Sequence, residues 1–593
     1  MKKILKKTGT VCTVLLFILA ILIMRSGLWM LSTWEHLMMD ELIFHLKAPM
    51  EGTNEELILG YINTCLLVAL AMGLLLCIAL VLCRKKKFLY RILHGIVLII
   101  SPLLIFFTAR HVWNNLDLAT YVETQTTYSS FIDENYINPN DVQITFPSKK
   151  RNLIHIYLES VETTYADTAA GGAFSSNVIP EITNLSQTYE DFSGLNRKIN
   201  GAISLSGTTW TMGALFGQTA GLPLSLPIDG NAMAEQSTFM PNLITMGDIL
   251  EDAGYRQAFL IGSDASFGGR ELYFEEHGNY QMWDYDYFKI NGDIPEDYCV
   301  WWGFEDMYLI KFAKEKLTWL SQQEEPFNLT ILTADTHFED GYICSDCKNF
   351  YEGDQYSNVM RCSSQKISEL VSWIQEQDFY DNTTIVITGD HPTMDSDYCN
   401  EVSEDYQRKV ITTYINAPVE TGKDTWRTYS TFDIFPTTLA SLGVEIEGDR
   451  LALGTNLFSE TPTLCETYGT EFVDTEIKKK SNLMEELTSD ITYANAAVTI
   501  GPYKPIAQTF DVLVDEMDYS MEIIDVRCLV WTTDDKSDAK WYIQPYEEDQ
   551  DYVFTIPVSD FGEDAAIFHA EAFAYAENTI MYSLGAAETN LLE

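Results

Sequence analysis

The sequence predicts an α/β fold in which a mostly parallel sheet is sandwiched by helices, preceded by transmembrane helices and followed by a small all-β sandwich module. Three observations predict it. Between about residues 150 and 460, short β-branched apolar runs alternate with amphipathic helical runs, the pattern of a sheet covered on both faces. Long uncharged stretches fill the first 110 residues. Toward the C-terminus, alternating apolar and polar runs separated by turn residues replace the helical pattern.

The chain has 593 residues and a formal net charge of −48. That length implies more than one domain and a large core. The charge excludes nucleic acid as a natural partner, because phosphate contacts need Lys and Arg. The N-terminal region has several basic clusters. Lys2, Lys3, Lys6 and Lys7 precede the apolar run Val11–Met24, which is short for a span of ~20 residues. It has no small-residue cleavage site of the signal-peptide kind, and a helix continuing past Arg25 through Trp29 reaches spanning length. Ile58–Cys83 is long enough by itself, and Arg84-Lys-Lys-Lys87 and Arg91 follow it. Ile92–Thr108 contains Pro102, which membrane helices tolerate. The positive-inside rule places the lysines and the Arg84–Arg91 cluster in the cytoplasm. Glu35–Glu56 is then an acidic outer loop, and everything after about His111 lies outside the cytoplasm. The expected organisation is a membrane anchor over residues 1–110, a juxtamembrane linker over 111–150, an α/β domain over 151–465, a polar connection over 466–490 and an all-β domain over 491–593.

Within the α/β domain, Asn152–Glu159 reads as a strand ending on a carboxylate. Asn242–Ala253 reads as a helix stopped by Gly254, with strand Ala258–Gly262 after it. Helix Met307–Ser321 leads to strand Leu329–Thr333, and helix Ser363–Gln377 leads to strand Thr384–Thr388. Asp433–Gly443 is a further helix with a glycine stop. The β module reads as strands at Thr509–Val514, Ser520–Ile524, Cys528–Thr532, Lys540–Ile543 and Tyr552–Ile556. Its Val530-Trp531 and Lys540-Trp541-Tyr542 stretches resemble β-sandwich repeats of Gram-positive surface proteins.

The chemistry gathers where strands end. Glu159 follows the first strand, Asp264 and Arg270 the second, Asp335-Thr336-His337 the third, and Asp390-His391 the fourth. Ligands of open α/β sheets bind at the carboxyl ends of the strands, so the four termini assemble one site. A carboxylate beside an imidazole is a ready pair of metal ligands. Gly207-Thr-Thr-Trp-Thr211 opens what reads as a short helix, where a hydroxyl would face the positive end of the dipole; an ordinary N-cap is the plain alternative.

Taken in order, these stretches resemble the phosphoglycerol transferases of the alkaline phosphatase/sulfatase superfamily, a group that includes lipoteichoic acid synthases and the transferases that modify osmoregulated glucans. The resemblance runs from about Asn152 to Phe458. It is carried by Tyr157-Leu-Glu-Ser160, Gly207-Thr-Thr-Trp-Thr211 with Gly221-Leu-Pro223, Gly247-Asp-Ile-Leu250, Phe267-Gly-Gly-Arg270, Leu332-Thr-Ala-Asp-Thr-His337 and Gly389-Asp-His391. It implies Glu159, Asp390 and His391 as metal ligands, and Thr208 as a nucleophile that also touches the metal, with Thr209 and Thr211 the alternatives in the same stretch. It implies Arg270 and His337 as holders of the substrate phosphate, and His337 as proton carrier. Such an oxygen-rich ligand set suits Mn²⁺, with Mg²⁺ or Zn²⁺ as alternatives. The lipoteichoic-acid branch has Trp two positions before its Arg, where this chain has Gly268, and the Cys/Ser-x-Pro-x-Arg motif of sulfatases is absent.

The implied activity is transfer of phosphoglycerol from phosphatidylglycerol in the outer leaflet, through a phosphothreonine-type intermediate, to a glycerol-phosphate polymer, glycolipid or glucan. The alternatives are a phosphoethanolamine transferase or phosphodiesterase of the same superfamily, or an inactive cell-surface binding protein. The remaining polar residues have plainer readings. His155 is packed within its strand, Glu162 is an alternative ligand to Glu159, Asp264 and Asp335 are supporting or turn-capping groups, and His277 ends a helix. Trp210 and Trp301-Trp302 are candidates to line an acceptor groove. Of the eleven Cys, Cys12, Cys65, Cys77 and Cys83 lie in apolar segments and read as small hydrophobes. Cys344-Ser-Asp-Cys347 lacks the second pair of a zinc site, so a disulfide among Cys344, Cys347 and Cys362 is the simpler expectation.

Overall fold

The structure, a computed structural model, describes residues 2–34, 39, 42–43, 55–196, 198–225, 238–395, 397–421, 425–489, 494–519, 523–533, 536–547, 550–561, 567–576 and 581–590. The predicted acidic loop Glu35–Glu56 lies almost wholly outside them. The chain separates into two compact units: residues 1–45, 50–226 and 244–484 form the first, and residues 485–593 with the short segments 46–49 and 227–243 form the second.

Among the described residues, three helices are long and apolar enough to cross a membrane: Gly9–Thr33, Ile58–Cys83 and Lys87–Asn115. The first belongs to helix α1, Lys2–Thr33, so Arg25 does not interrupt it. The reason lies in the second span, where a π-turn at Ile62–Leu66 precedes helix α2, Leu67–Cys83. Arg25 Nε donates to the Thr64 carbonyl at 2.9 Å, so the charge is met inside the bundle. Helix α3 is Lys87–Asn115 with Pro102 inside it. Val14, Leu76, Leu80 and Val97 form the bundle's buried seam.

The α/β region is built on a sheet of seven strands: β1 (Asn152–Leu158), β2 (Gly201–Ala202), β3 (Arg256–Ile261), β4 (Gln281–Trp283), β5 (Phe327–Leu332), β6 (Thr383–Gly389) and β7 (Val410–Ile415). Their order is β2-β7-β6-β1-β5-β3-β4. The run from β6 to β4 is parallel, and β7 and β2 close the other edge antiparallel. β5, β6 and β7 are buried along their whole length, which is why they read as continuous apolar or β-branched runs.

The helices that matter for the site are α4 (Thr211–Ala220), α5 (Arg270–Glu276), α6 (Asp306–Leu320) and α7 (Gln355–Gln375). Helix α7 starts eight residues before the expected Ser363, because the Asp354 carboxylate caps it by accepting from the Ser357 N–H at 3.0 Å. Much of the stretch expected as a polar connection over 466–490 is helical, with segments at Leu464–Tyr468, Thr470–Ile477 and Asn482–Ser489. A capping box at Thr463 and Glu466 starts the first, and Glu466 also pairs with the buried Arg427 at 2.8 Å.

The second unit packs two antiparallel sheets. One contains β8 (Ala494–Ile500), β9 (Thr509–Tyr519) and β12 (Tyr552–Pro557); the other contains β10 (Ile523–Trp531), β11 (Lys540–Pro545), β13 (Ile567–Ala576) and β14 (Met581–Asn590). Alternate residues such as Phe510, Val512 and Val514 meet Phe568, Ala570 and Ala572 in one shared core. The expected residues Ser520–Glu522 fall outside the described residues. The β8, β13 and β14 strands were not anticipated, since their small Ala residues blur the apolar alternation.

Candidate functional site

Strand register brings the acidic groups together. In the parallel β1–β6 pair Leu158 lies opposite Gly389, so the next residues, Glu159 and Asp390, leave the sheet level with one another. Tyr157 lies opposite Leu332 of β5, and Ile261 of β3 opposite the same residue, so the turns carrying His337 and Arg270 leave at the same edge. Gly389 cannot be larger, because a Cβ there would lie 2.1 Å from the Val161 carbonyl oxygen. Just beyond, Ser160 takes a φ of 57°, a left-handed conformation that is costly for a residue with a Cβ. In it the Ser160 N–H donates to Asp390 Oδ1 at 2.8 Å, and its hydroxyl donates to Glu159 Oε1 at 2.8 Å.

Glu159, Asp390 and His391 offer three ligand atoms that all lie within 4.8 Å of one another, and all three residues are buried. His391 Nε2 is 3.5 Å from Glu159 Oε1 and 3.5 Å from Asp390 Oδ2. His391 Nδ1 is 2.8 Å from the Pro392 carbonyl, which only an Nδ1–H can satisfy, so the Nε2 lone pair faces the carboxylates. Asp390 Oδ2 is fully buried and has no hydrogen-bond partner. Burial and the adjacent Glu159 push the Asp390 carboxyl well above its ordinary value. Burial acts the same way on Glu159, but the His391 and His337 rings and the Ser160 hydroxyl outweigh it and hold Glu159 below its ordinary value. An orphaned carboxylate oxygen beside a second carboxylate and an imidazole lone pair is a donor set that a divalent cation satisfies.

The threonine stretch does not place Thr208 at this cluster. Thr208 is fully buried; its hydroxyl donates to the Leu205 carbonyl at 2.7 Å and accepts from Thr431 at 3.1 Å. Thr211 is the first residue of α4 and is only half-buried. Its Oγ1 lies 3.3 Å from Glu159 Oε2 and 3.4 Å from His391 Nε2. The sequence placed the helix start too early, because three threonines in five residues give no local sign of which one opens it. The Thr209 hydroxyl is buried without a partner.

Glu159, Thr211, Arg270 and His337 line one cleft, together with Ser263, Phe267 and Trp302. Arg270 starts α5 after Gly268 and Gly269, whose φ values of 69° and 73° turn the chain in a way only glycine adopts easily. The guanidinium is anchored by one nitrogen to the Asp264 carbonyl at 2.8 Å, and its Nε is buried without a partner. Burial lowers its pKa to about 10, with Asp264 and Glu159 opposing, so the group stays charged at neutral pH. His337 Nδ1 is 2.6 Å from the Phe338 carbonyl, and its ring packs on Trp302 at 4.7 Å. Burial lowers the His337 pKa against the pull of Glu159, and the Nδ1 contact with a carbonyl assigns the proton of the neutral ring to Nδ1.

The other candidates fall elsewhere. Glu162 is no ligand here: it is bound by Arg408 at 2.6 Å and by the Tyr165 hydroxyl at 3.0 Å. His155 packs on Tyr157 at 4.0 Å, and burial takes its pKa down to about 3. Asp335 faces Lys366 at 3.4 Å, Asp264 accepts from the Ser266 N–H at 2.9 Å, and His277 follows the last residue of α5. Trp302 reaches the cleft, whereas Trp210 is buried. Ser263 was not singled out from the sequence, and Phe267 stood there only as part of the Phe267-Gly-Gly-Arg270 stretch, without a place on the cleft wall, because an aromatic three positions before an Arg is too common a pattern to mark one.

Residues 151–444 match the sulfatase family, and residues 499–589 match the GBS Bsp-like repeat. The α/β region of this chain is therefore a sulfatase-family domain. A phosphoglycerol transferase I of Xanthomonas campestris pv. campestris (strain B100) is 30% identical over 408 residues, which is 68% of this chain and 55% of that protein. One of Salmonella paratyphi B (strain ATCC BAA-1250 / SPB7) is 34% identical over 257 residues, 42% of this chain and 32% of that protein. The chain thus spans about half the length of the first of these relatives and a third of the second. Among solved structures, the lipoteichoic acid synthase LtaP of Listeria monocytogenes aligns with a TM-score of 0.43 at 17% identity, over 56% of this chain and 82% of that one.

Proposed function

We propose that this chain is a membrane-anchored, divalent-metal-dependent phosphoglycerol transferase, with Thr211 as its nucleophile and its α/β domain outside the cytoplasm. The observation that carries the proposal is the position of the Thr211 hydroxyl. It stands at a helix N-terminus, against Glu159 and His391, in the cleft that also holds Arg270 and His337. The sulfatase-family match and the similarity to proteins named phosphoglycerol transferase I support the reaction class.

Glu159, Asp390 and His391 would hold the cation, with Mn²⁺ or Mg²⁺ favoured by the oxygen donors. When bound, it supplies positive charge that eases ionisation of a nearby hydroxyl and offsets charge on phosphoryl oxygens. Thr211 Oγ attacks the phosphorus of the lipid phosphodiester. The Oγ–P bond forms as the bond from phosphorus to the diacylglycerol oxygen breaks. Thr211 gives up a proton, and the departing oxygen takes one up. Arg270 donates to the phosphoryl oxygens. An acceptor hydroxyl then attacks the same phosphorus as the Thr211 Oγ–P bond breaks; its proton has a receiver in Nε2 of His337, and Thr211 Oγ takes up a proton to restore the hydroxyl. A lipid donor also suits the closeness of the first apolar helix to the segment that carries His337. Trp34, one residue past α1, packs its ring 6.2 Å from that of Phe338, the neighbour of His337.

Intact-mass measurement of the full chain in detergent tests this reading. With Mn²⁺ and phosphatidylglycerol it should show an added phosphoglycerol, and with phosphatidylethanolamine no adduct. A phosphoethanolamine adduct would instead assign the donor to the alternative headgroup. Lipid turnover with no adduct would make the protein a phosphodiesterase.

A further inference from the structure

We propose that Cys344, Cys347 and Cys362 form a thiolate site for a soft divalent cation of the zinc class, separate from the Glu159–Asp390–His391 cluster. Cys344 Sγ lies 3.6 Å from Cys347 Sγ and 4.0 Å from Cys362 Sγ, and the three sulfurs lie within 4.8 Å of one another. Corners of a tetrahedral site with metal–sulfur bonds of about 2.3 Å are about 3.8 Å apart, so the two sulfur pairs that include Cys344 already stand close to that spacing.

Two elements build the triangle. Cys344 and Cys347 share a turn in which the Cys347 N–H donates to the Cys344 carbonyl at 3.2 Å, which brings both sulfurs to one side. Cys362 comes from α7, which is why the sequence showed no second pair: the third ligand is distant in the chain and supplied by the fold. The surroundings suit thiolates. Lys366, one helical turn after Cys362 and itself buried, donates Nζ to Cys344 Sγ at 2.9 Å. Its ammonium offsets negative charge on the sulfurs in the way outer ligands tune a metal site. Cys344 and Cys362 are buried while Cys347 is half-buried, so the triad stands at the edge of the core, and a fourth ligand from outside the triad would complete a tetrahedral set. Sulfur donors select zinc-like ions over the manganese or magnesium that oxygen donors favour, so the two sites need not compete for one metal.

Such an ion would tie the segment carrying His337 to α7. That segment is already joined to the helix by the Tyr356 hydroxyl, which donates to the Thr336 carbonyl at 2.7 Å, and by the Lys366–Asp335 pair. The ion would therefore be a structural clasp between that segment and α7. It takes no part in transfer.

The test uses the full chain, purified in detergent without chelator or reductant. Metal analysis should give about one zinc per chain in both the natural protein and Glu159→Gln, and a fall of at least tenfold in Cys347→Ser and Cys362→Ser. Cobalt exchanged into the natural protein should show an intense thiolate-to-metal charge-transfer absorption, which the oxygen-rich cluster cannot produce. Peptide mapping after denaturation in chelator should recover all three cysteines as thiols. A disulfide joining any two of them, or zinc that is lost in Glu159→Gln and retained in Cys362→Ser, would overturn the proposal. So would cobalt binding without the charge-transfer band. If the serine variants do not fold, the mapping and the cobalt spectrum of the natural protein decide alone.

Discussion

Thr211→Ala and Thr208→Ala should fail in opposite ways. The Thr211 hydroxyl is half-exposed and sits at 3.3 and 3.4 Å from its neighbours, beyond the usual length of a strong hydrogen bond. Deleting it should cost no more than about 1 kcal/mol of stability. If Thr211 is the nucleophile, the covalent adduct disappears and turnover falls by roughly 10⁴–10⁶, the scale of loss when the attacking group of a covalent mechanism is removed. That corresponds to about 5–8 kcal/mol of barrier. Thr208 is the reverse case. Its loss strips a buried partner from the Leu205 carbonyl and from the Thr431 hydroxyl, which costs about 1–3 kcal/mol. Its methyl group also packs against α4, where a Cβ at Gly217 would come within 2.6 Å of it, so a small cavity adds to the cost. Each kcal/mol should lower the melting temperature by about 2–4 °C for a domain of 150–250 residues, and somewhat less for this larger one. The assay pairs thermal unfolding with intact mass after incubation with Mn²⁺ and phosphatidylglycerol. Thr211→Ala should melt near the natural protein and carry no adduct, and Thr208→Ala should melt several degrees lower and carry one. An adduct that survives Thr211→Ala and is lost from folded Thr208→Ala would refute the reasoning.

Three further outcomes are expected. Asp390→Asn should raise the melting temperature of metal-free protein, because it removes a buried carboxylate beside Glu159, and should abolish the rise produced by Mn²⁺; calorimetric titration should show affinity reduced by more than the roughly 10–100-fold that outer-shell changes cost. Arg270→Lys should lower kcat/KM by about 10–100-fold, since a point charge replaces a planar donor fork, and Arg270→Ala should lower it by a further order of magnitude or more in steady-state assays. Burial alone would raise the Glu162 pKa, but Arg408 overcomes it and holds it below the ordinary value. The stability from this pair is therefore present above the unfolded carboxyl pKa and is lost as pH falls through the folded one, and Glu162→Gln should remove about 3–5 kcal/mol in denaturant titrations at pH 7 and flatten the acid limb.

The β-branched runs at 152–158, 327–332 and 383–389 and the helices between them were legible because a strand buried on both faces must be apolar throughout. With the parallel order implied by such alternation, the sequence alone put Glu159, Arg270, His337, Asp390 and His391 at one edge of one sheet. Helix starts were less legible where the signal is a single capping side chain, as at Asp354, and the helices around 464–489 were hidden by their polarity. Tertiary structure alone decided which threonine faces the acidic cluster. Thr208, Thr209 and Thr211 have the same side chain within four positions, and only the path of the chain into α4 turns one hydroxyl toward Glu159 and gives another to Leu205. It likewise paired Glu162 with Arg408, 246 residues away, and set Cys362 beside Cys344 and Cys347. Local sequence determines the period and the ends of an element, because those depend on neighbours along the chain. Which side chains meet across elements depends on register and packing, and these exist only once the sheet has formed.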